Sequence, residues 1–322
     1  MDSPGPKLSV VVPVYNERES LAPLCEQLGQ ALEGNTYEII FVNDGSWDGS
    51  AQALDAIQAA DPRIRVIHFG RNFGKAAALA SGFKLSNGEM VITLDADLQD
   101  DPAEIPRLVA TLEEGYDLVS GWKKGRKDPH SKTVPSRFFN WTTSRLTGIP
   151  LKDFNSGFKA YRRPVLEHLD LYGELHRFIP AMVYWKGFRV TEIPVVHHPR
   201  RWGKSKYGAW RFLAGFLDLM TILFLTRFRH RPLHVFGVLG LLSAVSGLVI
   251  NAYLTWIWLH GETIGSRPLL MLGVLLMVIG IQFFSIGLLA EMLTLASSRQ
   301  SDEGPAYREA GAPASDRDKA AR

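Results

Sequence analysis

The chain is poor in cysteine and nearly balanced in charge. Cys25 is its only cysteine, so neither an intrachain disulfide nor a cysteine zinc cluster is possible. The formal net charge of +3 provides no overall field for a polyanion, and we expect no nucleic-acid partner. The N-terminal residues lack a charged stretch followed by a long apolar core, so we expect no signal peptide and a cytoplasm-like compartment for the first ~210 residues.

Glycine-rich nucleotide motifs are missing from the place where they would be expected. An apolar run at residues 8–14 predicts the first strand, and neither G-x-G-x-x-G nor G-x-x-x-x-G-K-[ST] follows it. This absence argues against a dinucleotide-binding enzyme and against a P-loop ATPase.

Strand-like and helix-like patterns alternate through the first part of the chain. Short β-branched apolar runs predict buried strands, and stretches with helical spacing separate them. Such alternation predicts an α/β fold, with a mostly parallel, Rossmann-like sheet covered by helices. The predicted strands are 8–14, 37–42, 64–69, 89–94 and 117–121, and the predicted helices are 19–32, 50–60 and 75–85.

The fourth predicted strand ends in two carboxylates, Asp95 and Asp97. Residues i and i+2 of a strand point to the same side, so the pair should converge at the carboxyl edge of the sheet, where open α/β sheets bind ligands. Mg²⁺ and Mn²⁺ commonly take one or two carboxylates and complete their shell with substrate phosphates. The first three strands also end in polar residues, so we predict a nucleotide-diphosphate site along this edge.

Two long apolar runs occupy the last third of the chain. Each meets the length of about 20 residues that a bilayer span requires. We predict transmembrane helices at about 234–259 and 268–293, joined as a hairpin within residues 232–296. Residues 209–231, apolar but containing arginines, predict an amphipathic interfacial helix, with a third membrane span as the alternative. The polar residues 297–322 predict a disordered cytoplasmic tail.

Positive charge flanks the two runs on one side. Arg227, Arg229 and Arg231 precede the first run and Arg299 follows the second, whereas the connecting loop contains Arg267 and Glu262. The positive-inside rule therefore predicts an integral membrane protein with both termini and the catalytic domain in the cytoplasm, as in a bacterial inner membrane. Glycines in the first run, at 237, 240 and 247, allow helices to pack closely in a membrane. Because such faces can also join two copies of the chain, a homo-oligomer is among our predictions.

Four segments in order resemble the family 2 glycosyltransferases of GT-A fold: VVPVYNE, NDGS, GKAAAL and DADLQDDP. The resemblance covers residues 7–210 and implies a GT-A catalytic domain, bounded here as residues 1–208, that inverts a sugar from a UDP- or GDP-linked donor. It implies that Mg²⁺ or Mn²⁺ and the diphosphate are held by Asp95, Asp97 and Gln99. It also implies donor-nucleotide contacts from Pro13, Tyr15, Glu17, Asp44, Lys75 and Asp95.

A later segment, residues 153–162, resembles the Asp-x-x-Ser-Gly-Phe-Arg segment of dolichyl-phosphate mannose synthases and bacterial polyprenyl-phosphate transferases. Lys159 stands where arginine is usual, which keeps the charge but loses a bidentate fork. The resemblance makes Asp153 the candidate acidic residue near the acceptor, with capping of a turn as the alternative. Asp97, Asp153 and Arg201 are the predicted catalytic residues.

A basic run at residues 197–207 resembles the Arg-x-x-Gly-x-Ser-Lys-Tyr pattern of the same transferases. We interpret it as a clamp for the phosphate of a polyprenyl phosphate acceptor, with attraction to anionic lipids as a second role. The resemblance implies that a basic loop at residues 123–137 covers the site and that Ser136 and Arg137 in it contact the acceptor phosphate. The predicted acceptor-phosphate residues are Ser136, Arg137, Arg201, Ser205 and Lys206.

Two other functions remain open from the sequence. Processive polysaccharide synthases resemble this domain but carry Gln-x-x-Arg-Trp, and here His198 stands in place of the glutamine. A non-catalytic membrane scaffold would not require the carboxylates at 95 and 97. Adjacent histidines on a strand point to opposite sides, so we do not expect His197 and His198 to bind a metal together.

Overall fold

The structure is a computed structural model, and it describes residues 5–123, 140–145, 147–169, 171, 175–199, 220, 232–264 and 268–298. The chain divides into two compact units between Leu219 and Met220. An α/β unit precedes this boundary, and a helical unit follows it. Each unit is described by itself.

The α/β unit is built on a seven-stranded sheet of order β3-β2-β1-β4-β6-β5-β7. Neighbouring strands are parallel except at β6, which runs antiparallel to both β4 and β5. The sheet is therefore mostly parallel, which confirms the predicted fold class. Its strands are β1 (Leu8–Val14), β2 (Tyr37–Asn43), β3 (Ile64–His68), β4 (Met90–Thr93), β5 (Leu118–Lys123), β6 (Lys159–Arg162) and β7 (Val190–Val195).

Helices connect the strands and cover the sheet. Strands β1, β2 and β4 are buried along almost their whole length, as expected where helices cover both faces. Helix α4 has apolar residues at 105, 108, 109 and 112, and this stripe packs into the core. The helices of this unit are α1 (Arg18–Ala31), α2 (Ser50–Ala60), α3 (Lys75–Leu85), α4 (Ile105–Glu113), α5 (Arg163–Leu166) and α6 (Ile179–Trp185).

The helical unit consists of α7 (Pro232–Leu259) and α8 (Pro268–Ser298). Both helices are long and apolar enough to cross a membrane, with mean hydropathies of 2.2 and 2.5 over the candidate spans. Only 11% of the most apolar stretch of each helix is buried. The apolar side chains therefore face outward instead of forming the core of a soluble domain. This pattern supports the predicted transmembrane hairpin.

Small residues bring α7 and α8 into backbone contact. A Cβ atom on Gly240 would lie 2.7 Å from the carbonyl oxygen of Gly280, and one on Gly247 would lie 2.5 Å from that of Gly273. By contrast, a Cβ on Gly237 would meet only the side chain of Leu233, at 3.7 Å. Two of the three glycines expected to pack helices therefore do so within the hairpin itself.

Candidate active site

The loops after β1 and β2 are tied together at the carboxyl edge of the sheet. The Asn16 N–H donates to Ser46 Oγ at 2.9 Å, and the Trp47 N–H donates to Asn16 Oδ1 at 3.0 Å. Asn16 has a φ of 53°, in the left-handed region that asparagine tolerates better than most residues. The structure thus brings the 13–17 and 43–46 segments side by side, as expected for one nucleotide site.

Asp44 organises the next loop instead of pointing freely into the site. Its two carboxylate oxygens accept backbone N–H bonds from Phe73 at 2.7 Å and from Gly74 at 2.9 Å. The neighbouring Gly45, with a φ of 68°, lies so close to this loop that a Cβ would be 2.4 Å from the Arg71 carbonyl carbon. The predicted donor role of Asp44 stays a prediction, and its observed role is to position the loop that leads to Lys75.

Lys75 begins α3, and its ammonium group forms an ion pair with the Asp95 carboxylate. Burial opposes ionisation of Asp95, but the adjacent Lys75 outweighs it and lowers the pKa of this carboxyl to about 2. Lys123, at the end of β5, acts in the same direction. Asp95 is therefore a stable anion at neutral pH, as a metal ligand must be.

Asp97 and Gln99 follow Asp95 in a tight turn. Asp97 is 9% exposed, and its Oδ1 accepts the Gln99 N–H at 3.1 Å. Leu98, between them, has a φ of 57°, a strained conformation for a residue with a branched side chain. Strain of this kind is retained where it holds functional groups in place, which supports the choice of these two residues as metal ligands.

Gly157 lies against the Asp95 carboxylate. A Cβ at this position would be 2.7 Å from Oδ2 and 2.9 Å from Oδ1 of Asp95, closer than real Cβ contacts. The Thr93 hydroxyl donates to the Gly157 carbonyl at 2.9 Å and fixes this approach. The Ser-Gly-Phe segment is thus a cradle for Asp95, a role that the sequence alone did not indicate.

Asp153 is buried, at 5% exposure, and its Oδ1 accepts the Asn155 N–H at 3.0 Å. This bond is the turn-capping contact considered as the alternative reading of Asp153. The Asp153 charge also raises the pKa of the buried Lys159, but burial and the charge of Lys75 lower that pKa by more. The predicted acceptor role of Asp153 stays a prediction.

Two buried ionisable residues, Lys159 and His176, interact electrostatically with Lys75 and Asp95, and neither was singled out as a site residue from the sequence. Burial, reinforced by Lys75, lowers the pKa of Lys159 to about 7. Burial and the same lysine lower the pKa of His176 well below its usual range, so the imidazole is neutral. No sequence signal marks His176, because its approach to the site depends on the fold of residues 175–178.

The acceptor half of the predicted site falls largely outside the described residues. Ser136, Arg137, Arg201, Ser205 and Lys206 all lie there. Pro13, Tyr15 and Glu17 lie at the end of β1 and just after it, on the same edge as Lys75. The structure therefore brings together the predicted donor and metal residues.

The donor set fits a divalent cation that relies on its substrate. Asp95 and Asp97 supply two carboxylates and Gln99 one amide oxygen, the hard oxygen ligands that Mg²⁺ and Mn²⁺ prefer. Among the described residues, no group of three or more His, Cys, Asp or Glu side chains is arranged to hold a metal alone. An ion held here would complete its shell with diphosphate oxygens and water.

The sheet order, the carboxylates at the end of β4 and the loops around them are those of a GT-A fold. Glucosyl-3-phosphoglycerate synthase from Mycobacterium tuberculosis, solved with Mn²⁺, UDP-glucose and phosphoglyceric acid, has a similar fold. The TM-score is 0.53 at 21% identity, over 68% of this chain and 80% of that one.

The sequence comparisons specify the family. The profile of "Glycosyl transferase family 2" matches residues 9–170. A dodecaprenyl-phosphate galacturonate synthase of Rhizobium johnstonii is 38% identical, over 94% of this chain and 91% of the relative. An undecaprenyl-phosphate 4-deoxy-4-formamido-L-arabinose transferase of Salmonella paratyphi B is 39% identical, over 90% and 89%. The chain belongs to the family 2 glycosyltransferases, which confirms the predicted family.

Proposed function

We propose that this glycosyltransferase moves a sugar from a UDP- or GDP-linked donor to a polyprenyl phosphate at a membrane surface. One observation carries the donor half: Lys75, Asp95, Asp97 and Gln99 share the carboxyl edge of the sheet. The two apolar helices and the two polyprenyl-phosphate relatives support the lipid half.

The nucleophile follows from the chemistry of the acceptor. A phosphate monoester has a second pKa near about 6 and is largely a dianion at neutral pH. Its oxygen can attack the anomeric carbon without a strong protein base, so orientation and charge neutralisation are the main requirements. The bond from that carbon to the diphosphate oxygen breaks, the nucleoside diphosphate leaves, and this single displacement inverts the anomeric centre.

The chain's own groups orient the departing diphosphate. A bound Mg²⁺ or Mn²⁺ would neutralise charge on it, and Asp95, Asp97 and Gln99 would hold that ion. Lys75, fixed beside Asp95, adds a positive charge next to the diphosphate position. Arg201 with Ser205 and Lys206, and Ser136 with Arg137, would hold the acceptor phosphate, as arginine and lysine do in other phosphate sites.

The membrane arrangement belongs to the same proposal. Residues 1–208 would form the catalytic domain, 209–231 an interfacial helix, and 232–296 the hairpin, with both termini in the cytoplasm. A polyprenyl phosphate presents its headgroup at the bilayer surface, so a catalytic domain tethered there would meet it directly.

A transfer assay tests this function. The full chain in detergent would receive Mn²⁺ or Mg²⁺, a panel of labelled UDP- and GDP-sugars, and undecaprenyl phosphate, with label counted in the organic phase. We expect label from at least one donor. Because a metal ligand contributes several kcal/mol, Asp97→Asn should lower the rate by about a hundredfold or more.

Asp101→Asn is the matched control, since Asp101 lies in the same loop but its Oδ1 accepts the Ala103 N–H and caps a short helix. An asparagine still caps, so the rate should stay within about twofold of wild type. No label in the lipid phase with any donor would refute the proposal. Equal rates for Asp97→Asn and wild type would refute the metal site.

A further inference from the structure

A chain of contacts runs from the Asp100 carboxylate through the His197 imidazole to the amide of Gln99, one of the candidate metal ligands. His197 Nδ1 is 3.2 Å from Asp100 Oδ1, and His197 Nε2 is 3.4 Å from Gln99 Nε2. The Gln99 amide nitrogen is also 3.4 Å from the His198 carbonyl oxygen. Gln99 is thus contacted from residues that follow β7, almost a hundred positions later in the sequence.

The contacts determine which atom donates in each bond. Asp100 is the acceptor, because Lys123 Nζ, which can only donate, lies 3.5 Å from the same Oδ1 atom that His197 Nδ1 approaches. His197 Nδ1–H therefore donates to Asp100, and in the tautomer that carries its proton at Nδ1 the Nε2 atom is an acceptor. That acceptor faces the Gln99 amide nitrogen, so Oε1 is the Gln99 atom left to face a metal.

The surrounding backbone makes this arrangement rigid. Asp100 and His197 form a β-bridge, and the His198 N–H donates to the Gln99 carbonyl at 2.7 Å. The Val196 N–H donates to Glu104 Oε1 at 3.3 Å, further along the same loop. These bonds join residues 196–198 to residues 99–104 and fix the imidazole beside the amide.

Asp100 is buried too deeply to be an ordinary surface carboxylate. It is 1% exposed, Lys123 Nζ lies 3.5 Å from its Oδ1, and its Oδ2 has no hydrogen-bond partner within the described part of the chain. Burying a carboxylate is unfavourable unless its partners compensate. Its Oδ1 lies 3.2 Å from His197 Nδ1, as carboxylates in metal sites bond to the histidines that they orient.

We propose that Asp100 and His197 are positioning residues that orient the Gln99 amide so that its oxygen faces the divalent cation. This inference rests on the proposed function for the metal role of Gln99. It assigns to His197 a task separate from the acceptor-phosphate role predicted for the run at residues 197–207, and separate from metal ligation by the histidine pair.

Metal binding tests the inference without requiring sugar transfer. Mn²⁺ would be titrated into the full chain in detergent, with saturating UDP in one series and GDP in another, and free Mn²⁺ measured by electron paramagnetic resonance. Loss of an orienting partner commonly weakens metal binding about 10- to 100-fold, so His197→Phe should raise the Mn²⁺ Kd by about tenfold or more.

Two further variants separate orientation from folding. His197→Asn keeps a donor for Asp100 but places no acceptor at the Nε2 position, so it should also raise the Kd while leaving the unfolding temperature near wild type. His198→Ala is the matched control, because the His198 side chain is exposed and contacts Asp101, whereas only its backbone reaches Gln99. Its Kd should stay within about twofold of wild type.

A double-mutant cycle shows whether His197 acts through Gln99. Gln99→Ala should weaken Mn²⁺ binding about as much as His197→Phe, and the double variant should lose little more, because the two side chains serve one interaction. Additive losses, a wild-type Kd for His197→Phe, or no Mn²⁺ binding by wild type would each overturn the inference. If His197→Phe weakens Mn²⁺ binding but no donor yields lipid-linked sugar, the proposed transfer fails and this inference stands.

Discussion

Glycine makes room for a charge in the α/β unit, whereas in the helical hairpin it makes room for a backbone. Gly157 has no side chain where one would collide with the Asp95 carboxylate. Gly247 has none where one would collide with the Gly273 carbonyl. The same residue type thus makes room for a candidate metal ligand in one unit and for helix contact in the other.

The two units also differ in how they treat buried polar groups. The sheet edge concentrates four buried ionisable groups whose pKa values depend on one another: Asp95, Asp100, Lys159 and His176. In the described hairpin, contacts between the helices include only a few polar bonds, such as Ser243 Oγ to the Leu276 carbonyl at 2.9 Å. The burial of these ionisable groups is therefore unfavourable for the stability of the α/β unit, whereas the hairpin is stabilised mainly by close apolar packing.

The largest expected effect tests the cradle under Asp95. Gly157→Ala would push the carboxylate away from its position beside Lys75, and a displacement of about 1 Å in a reacting group can cost about a hundredfold in rate. We expect kcat for lipid-linked sugar formation to fall by that order, while the unfolding temperature changes little. The rates would be compared at saturating donor and acceptor.

Gly29→Ala serves as the control for this change. Gly29 lies in α1, a Cβ there would meet nothing within 4 Å, and alanine favours a helix by about 0.5–1 kcal/mol. Its rate should equal that of wild type. A Gly157→Ala enzyme of normal activity would show that the close approach to Asp95 has no catalytic purpose.

The second effect concerns the hairpin. Gly247→Ala places a methyl group 2.5 Å from the Gly273 carbonyl oxygen, so the helices must separate, at a cost of about 1–3 kcal/mol for overpacking. The measurement is SDS-induced unfolding of the full chain in mixed micelles, followed by tryptophan fluorescence, because Trp256 and Trp258 lie on α7.

Gly237→Ala is the matched change on the same helix, where a methyl group would make an ordinary contact of 3.7 Å with Leu233. It should shift the unfolding midpoint by less than about 0.5 kcal/mol. Equal destabilisation by both substitutions would contradict the assignment of Gly247 to the contact between α7 and α8.

Local pattern was sufficient to predict most of the sheet. The predicted limits of β1, α2 and α3 coincide with the observed ones. These elements could be predicted because their apolar patterns involve only residues that are consecutive in the sequence. Strands β6 and β7 were not predicted. Strand β6 has only four residues, and two of them, Lys159 and Arg162, are charged, so it lacks an apolar pattern. Strand β7 contains Pro194, which argues against a central strand but is tolerated at the edge of the sheet, where β7 lies.

The site was predicted in the same uneven way. Asp95, Asp97 and Lys75 follow strand ends, and parallel topology brings such ends together. The Gly157 cradle and the Asp100–His197–Gln99 chain depend on contacts between residues about 60 to 100 positions apart, and no local pattern encodes them. His197 also follows a strand that the sequence did not reveal.

The third effect is a dependence of stability on pH that arises from Lys159. Its pKa is about 7 in the folded protein, lowered by burial and by Lys75 against the opposing charges of Asp153, Asp95 and Asp100, and 10.5 is its ordinary value. Between pH 7 and pH 10.5, Lys159 is protonated in the unfolded chain but largely neutral in the folded protein. The free energy of unfolding therefore rises with pH in this range, by up to about 1.4 kcal/mol per pH unit. Below pH 7 the cost of the buried charge is fully present.

Lys159→Met should remove this rise and stabilise the metal-free protein at neutral pH, as measured by urea unfolding at several pH values from 7 to 10. Lys84→Met, at an exposed position on α3, is the control and should leave the slope as in wild type. A Lys159→Met slope that matches wild type would mean that the buried ammonium has no energetic cost.

The smallest effect tests the claim that the hairpin gains little from polar contacts. Ser243→Ala removes the hydroxyl that donates to the Leu276 carbonyl, and hydrogen bonds between membrane helices average about 0.6 kcal/mol. In the SDS titration we expect a loss of that size, against almost none for Ser285→Ala, whose hydroxyl bonds to Ile281 in its own helix. A loss above about 2 kcal/mol would exceed what such bonds normally contribute and would match the cost of a methyl group at Gly247. The hairpin would then depend on a buried polar contact as the sheet edge does, and the distinction between the two units would not hold.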